Sequence, residues 1–501
     1  MPVSSGTNRA AESGAVLFYG LVTLLVFAPL YWGGNRPLPL LVMELAALLL
    51  LVGLAWRGSR LVRPSVLSRP VQAFLVIIFL LPLLQLLPAP LVFWADLPGR
   101  EFYASALRLA GAGDAGFDWR AISLVPSSTE ATWLALLPPL AVFVAASFLS
   151  GRQLLALAQV FLGIAVGQAL LGLIQYGSTL MNGSASGTYA NRNHLAGLLE
   201  MALPIALALL VATVGHGVPR YSGRGRRKRT WRQWLARFSV NRINQATLYG
   251  AAALAILLGL VFTRSRTGVS LAMLGILLCT ALFSTRLGGR NAYGLMGSFT
   301  AVGVGLAGLI GLTPVWSRFA YSDPIEDGRW RIFDATLQAV GEFFPLGSGG
   351  GTFEDVLRRF HPATFPGVTI NRAHNDYLEW LLEFGLAAAL LIVVWLVFYL
   401  RQWGRVWKRG EWAPLRFAQA GAGIALLLMM LHTLVDFNLR IPANAVFSAL
   451  LAALFFHRPI GEEQQPARRV SAGTDGEEVP ATVPVHAYEI PPENRTNPFA
   501  L

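Results

Sequence analysis

The sequence predicts an all-α polytopic membrane protein with about twelve transmembrane helices. Of its 501 residues 54% are hydrophobic and only 13% are charged. Its apolar runs reach roughly 20 residues, the length a helix needs to cross ~30 Å of hydrocarbon. A soluble hydrophobic core does not require uninterrupted runs of that length, so the composition excludes an ordinary soluble protein.

Hydropathy sets the number and ends of the spans. They are predicted at residues 14–32, 37–56, 70–90, 131–149, 153–176, 193–214, 246–263, 267–285, 294–312, 376–400, 416–434 and 441–457. The first span is too long for a signal peptide and has no small-residue cleavage site, so we expect it to be retained.

The short basic loops predict the orientation. With residues 1–13 in the cytoplasm, loops 57–69, 286–290 and 401–409 all fall on the cytoplasmic side, as the positive-inside rule requires. Spans 1–9 then occupy residues 14–312, and spans 10–12 occupy residues 376–457. We therefore expect a multi-pass protein of the bacterial inner membrane, with a large, helical periplasmic loop at residues 313–375.

Two further segments are expected to be cytoplasmic. Loop 215–245 carries nine Lys and Arg between residues 220 and 242, and Trp231, Trp234, Leu235 and Phe238 recur there at helical spacing. This pattern fits either an amphipathic helix on anionic lipid or a solvated loop that orients the neighbouring helices. Residues 458–501 are polar and rich in Pro and Glu, and we expect a disordered tail.

Two polar segments stand at the predicted periplasmic ends of spans. Residues 187–194, GTYANRNH, contain Tyr189, Arg192 and His194, which fit either substrate contact or a structural polar network. The hairpin TRSRTG, residues 263–268, contains Arg264 and Arg266. Arginines on the outside oppose the usual charge bias, which favours an anion-binding role for Arg266 over anchoring of the helix ends.

The third polar segment is the periplasmic loop itself. Residues 330–344 have the apolar spacing of an amphipathic helix that Pro345 ends, with Arg329 and Arg331 at its start. The glycine-rich run 347–351 follows, where glycine allows either close approach of a ligand or a flexible linker. Thr352 and Asp355 then predict a capping box and a second short helix.

The loop ends in a cluster of charged and polar residues. Arg372, His374 and Asn375 lead into a span that contains Glu379 and Glu383, and Asn375 and the two glutamates are each four residues apart. That spacing places them on one face of a helix. The last outside turn adds Asp436, Asn438 and Arg440, which either close the same site or cap helix ends, and capping is the favoured interpretation.

Arginines, a histidine and carboxylates together suit phosphate or pyrophosphate, because arginine binds phosphate bidentately and stays charged. The single cysteine, Cys279, lies in an apolar run, and no histidine cluster is present, so we expect no metal and no cofactor. A pyrophosphate used outside the cell suggests a lipid-linked donor, because no nucleotide pool exists there.

The motifs resemble those of the O-antigen ligase and Wzy-type O-antigen polymerase superfamily. The resemblance rests on His374 and Asn375 followed by nine residues and Gly385, on the SRTG hairpin and on the GRW start of the periplasmic helix. It covers about residues 185–400. Arg331 followed by fifteen residues and Gly347 is compatible with an arginine motif of the polymerases.

The resemblance implies a fold like that of C-type glycosyltransferases and transfer of a glycan from an undecaprenyl-pyrophosphate carrier to a sugar hydroxyl. The acceptor would be another glycan or lipid A core. By the same match, Arg266 and Arg329 would neutralise the pyrophosphate, and His374 would orient or deprotonate the acceptor hydroxyl or hydrogen-bond the leaving phosphate. The residues expected to contact substrate are Arg192, His194, Arg264, Arg331, Arg372, Asn375 and Glu379, with Tyr189 and Trp330 stacking on sugars. Partners would be membrane lipids and a chain-length regulator, and no nucleic acid.

Two other function classes compete with glycan transfer. A transporter or flippase also fits a twelve-span count, but transporters usually place ionisable residues at the bilayer midplane. Only Glu44 is expected there. A noncatalytic scaffold of an export complex would use the basic loop and the tail as docking surfaces.

Overall fold

A computed structural model describes residues 4–57, 67–111, 119–177, 184–215, 240–287, 297, 328–407 and 412–458. Its helices are α1 (Ser4–Phe27), α2 (Pro37–Arg57), α3 (Arg69–Gln85), α4 (Leu91–Ala95), α5 (Glu101–Leu109), α6 (Pro126–Ala135), α7 (Leu137–Ser147), α8 (Gly151–Gly177), α9 (Arg192–Gly215), α10 (Val240–Phe262), α11 (Arg266–Leu287), α12 (Arg329–Phe343), α13 (Phe353–Leu357), α14 (Asp376–Val406), α15 (Pro414–His432) and α16 (Pro442–Phe456). The predicted class, an all-α polytopic membrane protein, is confirmed.

Helices cover most of the predicted spans. Eight described segments are long and apolar enough to cross a membrane, and three shorter apolar helices accompany them, at Gly14–Phe27, Arg69–Gln85 and Pro442–Phe456. Together they overlap eleven of the twelve predicted spans. Residues 216–239 of the basic loop, the span at 294–312 except residue 297, residues 313–327 and the tail from 459 lie outside the described residues.

Helix α9 forms the centre of the bundle, and every residue from 193 to 212 is buried. Small residues allow its neighbours to approach closely: Gly268 of α11 packs against Ala196, and Gly421 of α15 packs against Ala208. Such packing of small residues drives helix association in lipid, where burial of apolar surface provides little gain. The polar segments that precede α9 and α11 are thereby fixed at one end of the bundle.

Loop contacts divide the bundle into two ends in the way the predicted topology requires. At the predicted periplasmic end, Ala185 N donates to Phe262 O at 3.0 Å, and Gln85 Nε2 donates to Glu383 O at 2.8 Å. At the other end, Gln419 Nε2 donates to His457 O at 2.6 Å. The predicted outside loops therefore meet at one end of the bundle.

A small folded layer covers that end. Strands β1 (Pro88–Pro90) and β2 (Trp119–Ala121) pair antiparallel, and Ala89 of β1 packs with α4 and α5. Tyr103 of α5 and Leu124 also pack against the cluster that α12 and α13 form. Arg100 joins this layer together: it is fully buried and donates from Nη1 to Gly347 O at 2.9 Å and from Nη2 to Ile122 O at 2.7 Å. Burial lowers the pKa of Arg100 to about 10.

Helix α12 lies where the sequence predicts it and ends at Phe343, but the apolar spacing identifies its buried face only in part. Of the residues with that spacing, Phe333 is buried and Val340 is half-buried, whereas Trp330, Leu337 and Phe344 are exposed. Contacts of α12 with α13, with Leu382 of α14 and with Tyr103 of α5 select a buried face that spacing alone does not identify.

The glycine-rich run is not a flexible linker. It docks into a break in α14 at Gly385, where φ is +56°. Ser348 N donates to Leu382 O at 2.8 Å, and Leu386 N donates to Pro345 O at 2.9 Å, so the run occupies carbonyls and amides freed by the break. A side chain at Gly385 would clash with Pro345 O. Helices α12 and α14 are thus joined through backbone hydrogen bonds.

The predicted second short helix is present as α13, but its predicted capping box is wrong. The Thr352 hydroxyl donates to Gly349 O at 2.7 Å and makes no side-chain cap to α13. The hydroxyl is used instead to hold the glycine-rich run.

Candidate active site

A buried carboxylate, Asp436, lies at the centre of the polar cluster, and it is only 1% exposed. Asn193 Nδ2 donates to its Oδ2 at 2.8 Å, and Arg329 Nη2 lies 3.6 Å from the same oxygen. His374 Nδ1 lies 3.5 Å from Oδ1. Four segments that are far apart in the sequence therefore converge on one carboxylate.

Each of these side chains is placed by the end of a helix. Arg329 is the first residue of α12, and its Nη1 also donates to Val435 O at 2.8 Å. His374 comes two residues before α14, which Asn375 caps by accepting from Tyr377 N at 3.0 Å and Leu378 N at 3.1 Å. The predicted site residue Asn375 is thus a helix cap that fixes the position of its neighbour.

His374 has a strained backbone, with φ at +52°. A non-glycine residue rarely adopts this conformation, and such strain persists only where the surroundings hold it. Its imidazole packs edge-on against the Phe437 ring at 5.1 Å, and the His194 ring packs against the same phenyl at 4.7 Å. The two histidines therefore flank one aromatic ring beside Asp436.

The cluster keeps Asp436 ionised. Burial alone would raise the pKa of this carboxyl, but contact with His374 and the positive charge of Arg329 hold it well below its usual value. An ionised carboxylate that faces Nδ1 favours the imidazole tautomer with its proton on Nδ1. That tautomer leaves Nε2 of His374 as a proton acceptor.

A second network fixes the segment just before His374. Arg372 Nη1 donates to Glu379 Oε1 at 2.7 Å, and Ala373 N donates to Glu379 Oε2 at 3.1 Å. Arg440 Nε lies 3.3 Å from Glu379 Oε1, and its guanidinium also pairs with Glu383. Burial would lower the pKa of Arg440, but these carboxylates raise it above the usual value. The geometry favours a positioning role for Glu379.

The TRSRTG hairpin lies at the same end of the bundle. Arg266 is the first residue of α11, and two residues later Gly268 packs against Ala196 in the first turns of α9. Arg264 has φ at +56°, and its guanidinium lies 5.5 Å from the centre of the Tyr176 ring. Both arginines are half-buried.

The remaining predicted residues differ in accessibility. Tyr189 is 4% exposed and donates its hydroxyl to Asn444 Oδ1 at 3.0 Å, which favours a structural role over stacking on a sugar. Trp330 is 68% exposed and Arg331 is also exposed, so both are accessible from outside the protein. Arg192 is half-buried at the start of α9. In the part of the chain that the structure describes, no group of acidic, His or Cys side chains could hold a metal ion.

The sequence alone did not reveal the central role of two turn residues or the pairing of two buried ionisable residues. Asp436 and Arg440 were favoured as helix caps, yet they organise the two networks. His432 Nδ1 lies 2.9 Å from Glu200 Oε2, and both side chains are fully buried. Ionisable residues inside spans are costly and normally pair, so this rule could have matched Glu200 with His432.

Comparison with known proteins gives a family match over part of the chain. Residues 251–393 match the family model described as O-antigen ligase (Wzy_C), a segment that includes Arg266, Arg329 and His374 but ends before Asp436. No curated protein matches the chain. The match supports glycan transfer of the O-antigen ligase or polymerase type in general, by a glycosyltransferase-like membrane enzyme. The resemblance carried by the sequence motifs is therefore confirmed over residues 251–393, which are similar to the O-antigen ligase family.

Proposed function

We propose that the chain transfers a glycan from an undecaprenyl-pyrophosphate carrier to a sugar hydroxyl on the periplasmic face of the bacterial inner membrane. The observation that carries this proposal is the convergence of Arg329 and His374 on the buried carboxylate of Asp436. The two basic residues lie within the segment that matches the O-antigen ligase family.

His374 is the proposed general base. The acceptor hydroxyl gives its proton to Nε2 while its oxygen bonds to the anomeric carbon of the donor sugar. The bond from that carbon to the pyrophosphate oxygen breaks, and its electron pair leaves with the pyrophosphate. Asp436 holds the imidazole and stabilises the positive charge that forms on it.

Arg266 and Arg329 are the proposed electrostatic partners of the leaving pyrophosphate. Guanidinium groups bind phosphate oxygens bidentately and stay charged. Negative charge grows on the leaving group as the glycosidic bond breaks, so cations fixed there stabilise the transition state more than the ground state. Trp330 and Arg331, both exposed at the start of α12, are placed to contact the glycan.

The acceptor is a glycan or lipid A core, and a chain-length regulator is a proposed partner. The alternative function is a transporter or flippase, and one observation favours it. Glu200 and His432 form a buried ionisable pair within α9 and α15, the kind of pair found along proton paths.

Polysaccharide profiling by gel tests the proposal, using a deletion strain complemented with wild type or His374→Ala. Loss of long chains with single repeats retained indicates a polymerase, and polymer that stays on the lipid carrier indicates a ligase. An unchanged profile in the deletion strain would contradict both and support the transporter.

A further inference from the structure

Two ionisable side chains, Glu200 and His432, pair in the interior of the bundle and belong to neither network of the candidate active site. His432 Nδ1 lies 2.9 Å from Glu200 Oε2, and each side chain is at most 1% exposed. Glu200 lies in α9, and His432 is the last residue of α15. Side chains this deeply buried do not contact a substrate, so an effect on transfer must act through a neighbouring residue.

Stability alone does not account for a buried ionisable pair. Both groups lose water on burial, and replacing such a pair with apolar side chains of similar volume is often neutral or even stabilising. The pair does fix one arrangement of the two helices, because a shift or rotation of either helix breaks the hydrogen bond between them. The residue whose position depends on that arrangement is therefore the one to identify.

The backbone of His432 carries the turn that holds Asp436. Val435 N and Asp436 N both donate to His432 O, at 3.0 and 3.1 Å. The side chain of the same histidine binds Glu200 of α9. The position of the Asp436 carboxylate therefore follows the position of the last turn of α15 against α9.

Helix α9 holds this turn at two levels. Asn193 Nδ2 donates to Asp436 Oδ2 at 2.8 Å, and Glu200, seven residues further along the same helical face and ~10 Å deeper, binds His432. One contact alone would let the turn pivot, whereas two separated contacts fix its orientation as well. His374 Nδ1 lies 3.5 Å from Asp436 Oδ1, at the outer limit of a hydrogen bond, so a small displacement changes this contact.

We infer that the Glu200–His432 pair positions Asp436. The pair fixes the last turn of α15 against α9, and this turn holds the carboxylate that faces His374. The inference rests on the proposed function. It requires a hydrogen bond and no movement of a proton, which separates it from the proton path that a transporter would place at the same pair.

The test removes the pair without leaving either partner buried alone. Glu200→Met combined with His432→Leu replaces both side chains with apolar ones of similar volume, so the Tm should stay within about 5 °C of wild type. Gln419→Leu is the matched control, because Gln419 lies on the same helix and its buried Nε2 donates to His457 O at 2.6 Å, at the opposite end of the bundle. Purified full-length protein in lipid nanodiscs is assayed for transfer of a carrier-linked glycan.

We expect the double replacement to lower kcat about tenfold to a hundredfold, because a misplacement of about 1 Å can cost 10²-fold. The KM for the donor and for the acceptor should stay within about twofold, since the pair touches neither, and Gln419→Leu should keep the wild-type kcat. In an Asp436→Asn background the double replacement should lower kcat by less than about threefold, because its effect passes through the missing carboxylate. A wild-type kcat, or an equal fall in both backgrounds, would overturn the inference.

Glu200→Gln separates positioning from proton transfer and does not depend on the double replacement. The amide oxygen still accepts a hydrogen bond from His432 Nδ1, whereas an amide does not carry a proton at neutral pH. We expect kcat within about fivefold of wild type. A fall of about a hundredfold in Glu200→Gln, with the protein still folded, would overturn the positioning role and support a proton path.

Chemical modification of His374 separates this inference from the proposed function. Its side chain is 22% exposed, so diethyl pyrocarbonate reaches it, and mass spectrometry resolves its rate from those of other histidines. A carboxylate that faces Nδ1 makes Nε2 more nucleophilic. Asp436→Asn should therefore slow the modification, the double replacement should slow it by a similar factor, and Gln419→Leu should leave it within about twofold.

The two failures then differ. Slowed modification in the double replacement, without any transfer by wild type, would refute the proposed function and leave the positioning of Asp436 in place. Transfer by wild type, with unchanged kcat and unchanged modification of His374 in the double replacement, would refute the positioning role alone.

Discussion

Replacing Asp436 with asparagine tests the role of the central carboxylate with almost no change of shape. Its Oδ2 accepts from Asn193 Nδ2, and its Oδ1 accepts from Phe437 N at 2.9 Å and faces His374. If the amide nitrogen of the asparagine replaces Oδ2, it faces the donor Asn193 Nδ2, and if it replaces Oδ1, it faces the donor Phe437 N. Both amide orientations therefore break a buried hydrogen bond, and both remove the negative charge beside Arg329 and His374.

The expected loss of activity follows from these contacts. An amide turned toward His374 disfavours the tautomer with its proton on Nδ1 and no longer stabilises the imidazolium. General acid–base catalysis contributes about 10²- to 10⁴-fold. We therefore expect kcat to fall by about 10²- to 10⁴-fold in Asp436→Asn, a barrier increase of about 3–5 kcal/mol at 1.36 kcal/mol for each factor of ten.

The assay measures transfer of a labelled carrier-linked glycan by purified protein in nanodiscs, with monodispersity checked by size exclusion. Asp96→Asn is the matched control, because Asp96 is exposed and distant in sequence from the cluster, and it should transfer at the wild-type rate. A rate for Asp436→Asn within about threefold of wild type would refute the proposed Asp436–His374 pair.

The remaining predictions concern stability, backbone and topology. The lowered pKa of Asp436 means that the ionised carboxylate stabilises the fold above about pH 4 and that this stabilisation is lost as pH falls further. In a thermal-shift series, the Tm of wild type should therefore exceed that of Asp436→Asn by less below about pH 4 than above it. A Tm difference that is constant with pH would contradict this. Gly385→Ala should lower the free energy of unfolding in denaturant by about 1–3 kcal/mol, because φ of Gly385 is +56° and Pro345 O blocks a side chain. Gly404→Ala, with open space around it, should not lower the free energy of unfolding. Equal free energies of unfolding for the two variants would refute the docked break in α14. Because the natural Cys279 is buried, an impermeant maleimide should label Asp355→Cys from the periplasm and leave Arg401→Cys unlabelled, and the reverse pattern would overturn the orientation.

Local sequence patterns were sufficient for the helices and for part of the site. Hydropathy is a property of each segment, so eleven predicted spans coincide with helices. Positive charge in the predicted outside loops pointed to segments that do meet at one end of the bundle, including those with Arg329 and His374. The apolar spacing within α12 predicted a helix but not all of its buried face, because that face depends on the elements that pack against the helix.

The centre of the site depends on contacts between distant segments, which a single sequence does not display. Asp436 resembles an ordinary capping residue until Asn193, Arg329 and His374 are placed around it. The glycine-rich run resembles a linker until Gly385 is seen to break α14 and accept it. Both features require two segments to be considered together, and only the fold supplies the pairing.

The most direct test of the proposed function is transfer by purified wild type and His374→Ala, given a carrier-linked glycan and a sugar acceptor with no nucleotide sugar and with chelator present. We predict that wild type forms the glycosidic product and releases undecaprenyl pyrophosphate, while His374→Ala, equally folded and still able to bind the donor, forms neither. Equal product from both proteins, or none from wild type, would contradict glycan transfer at this site.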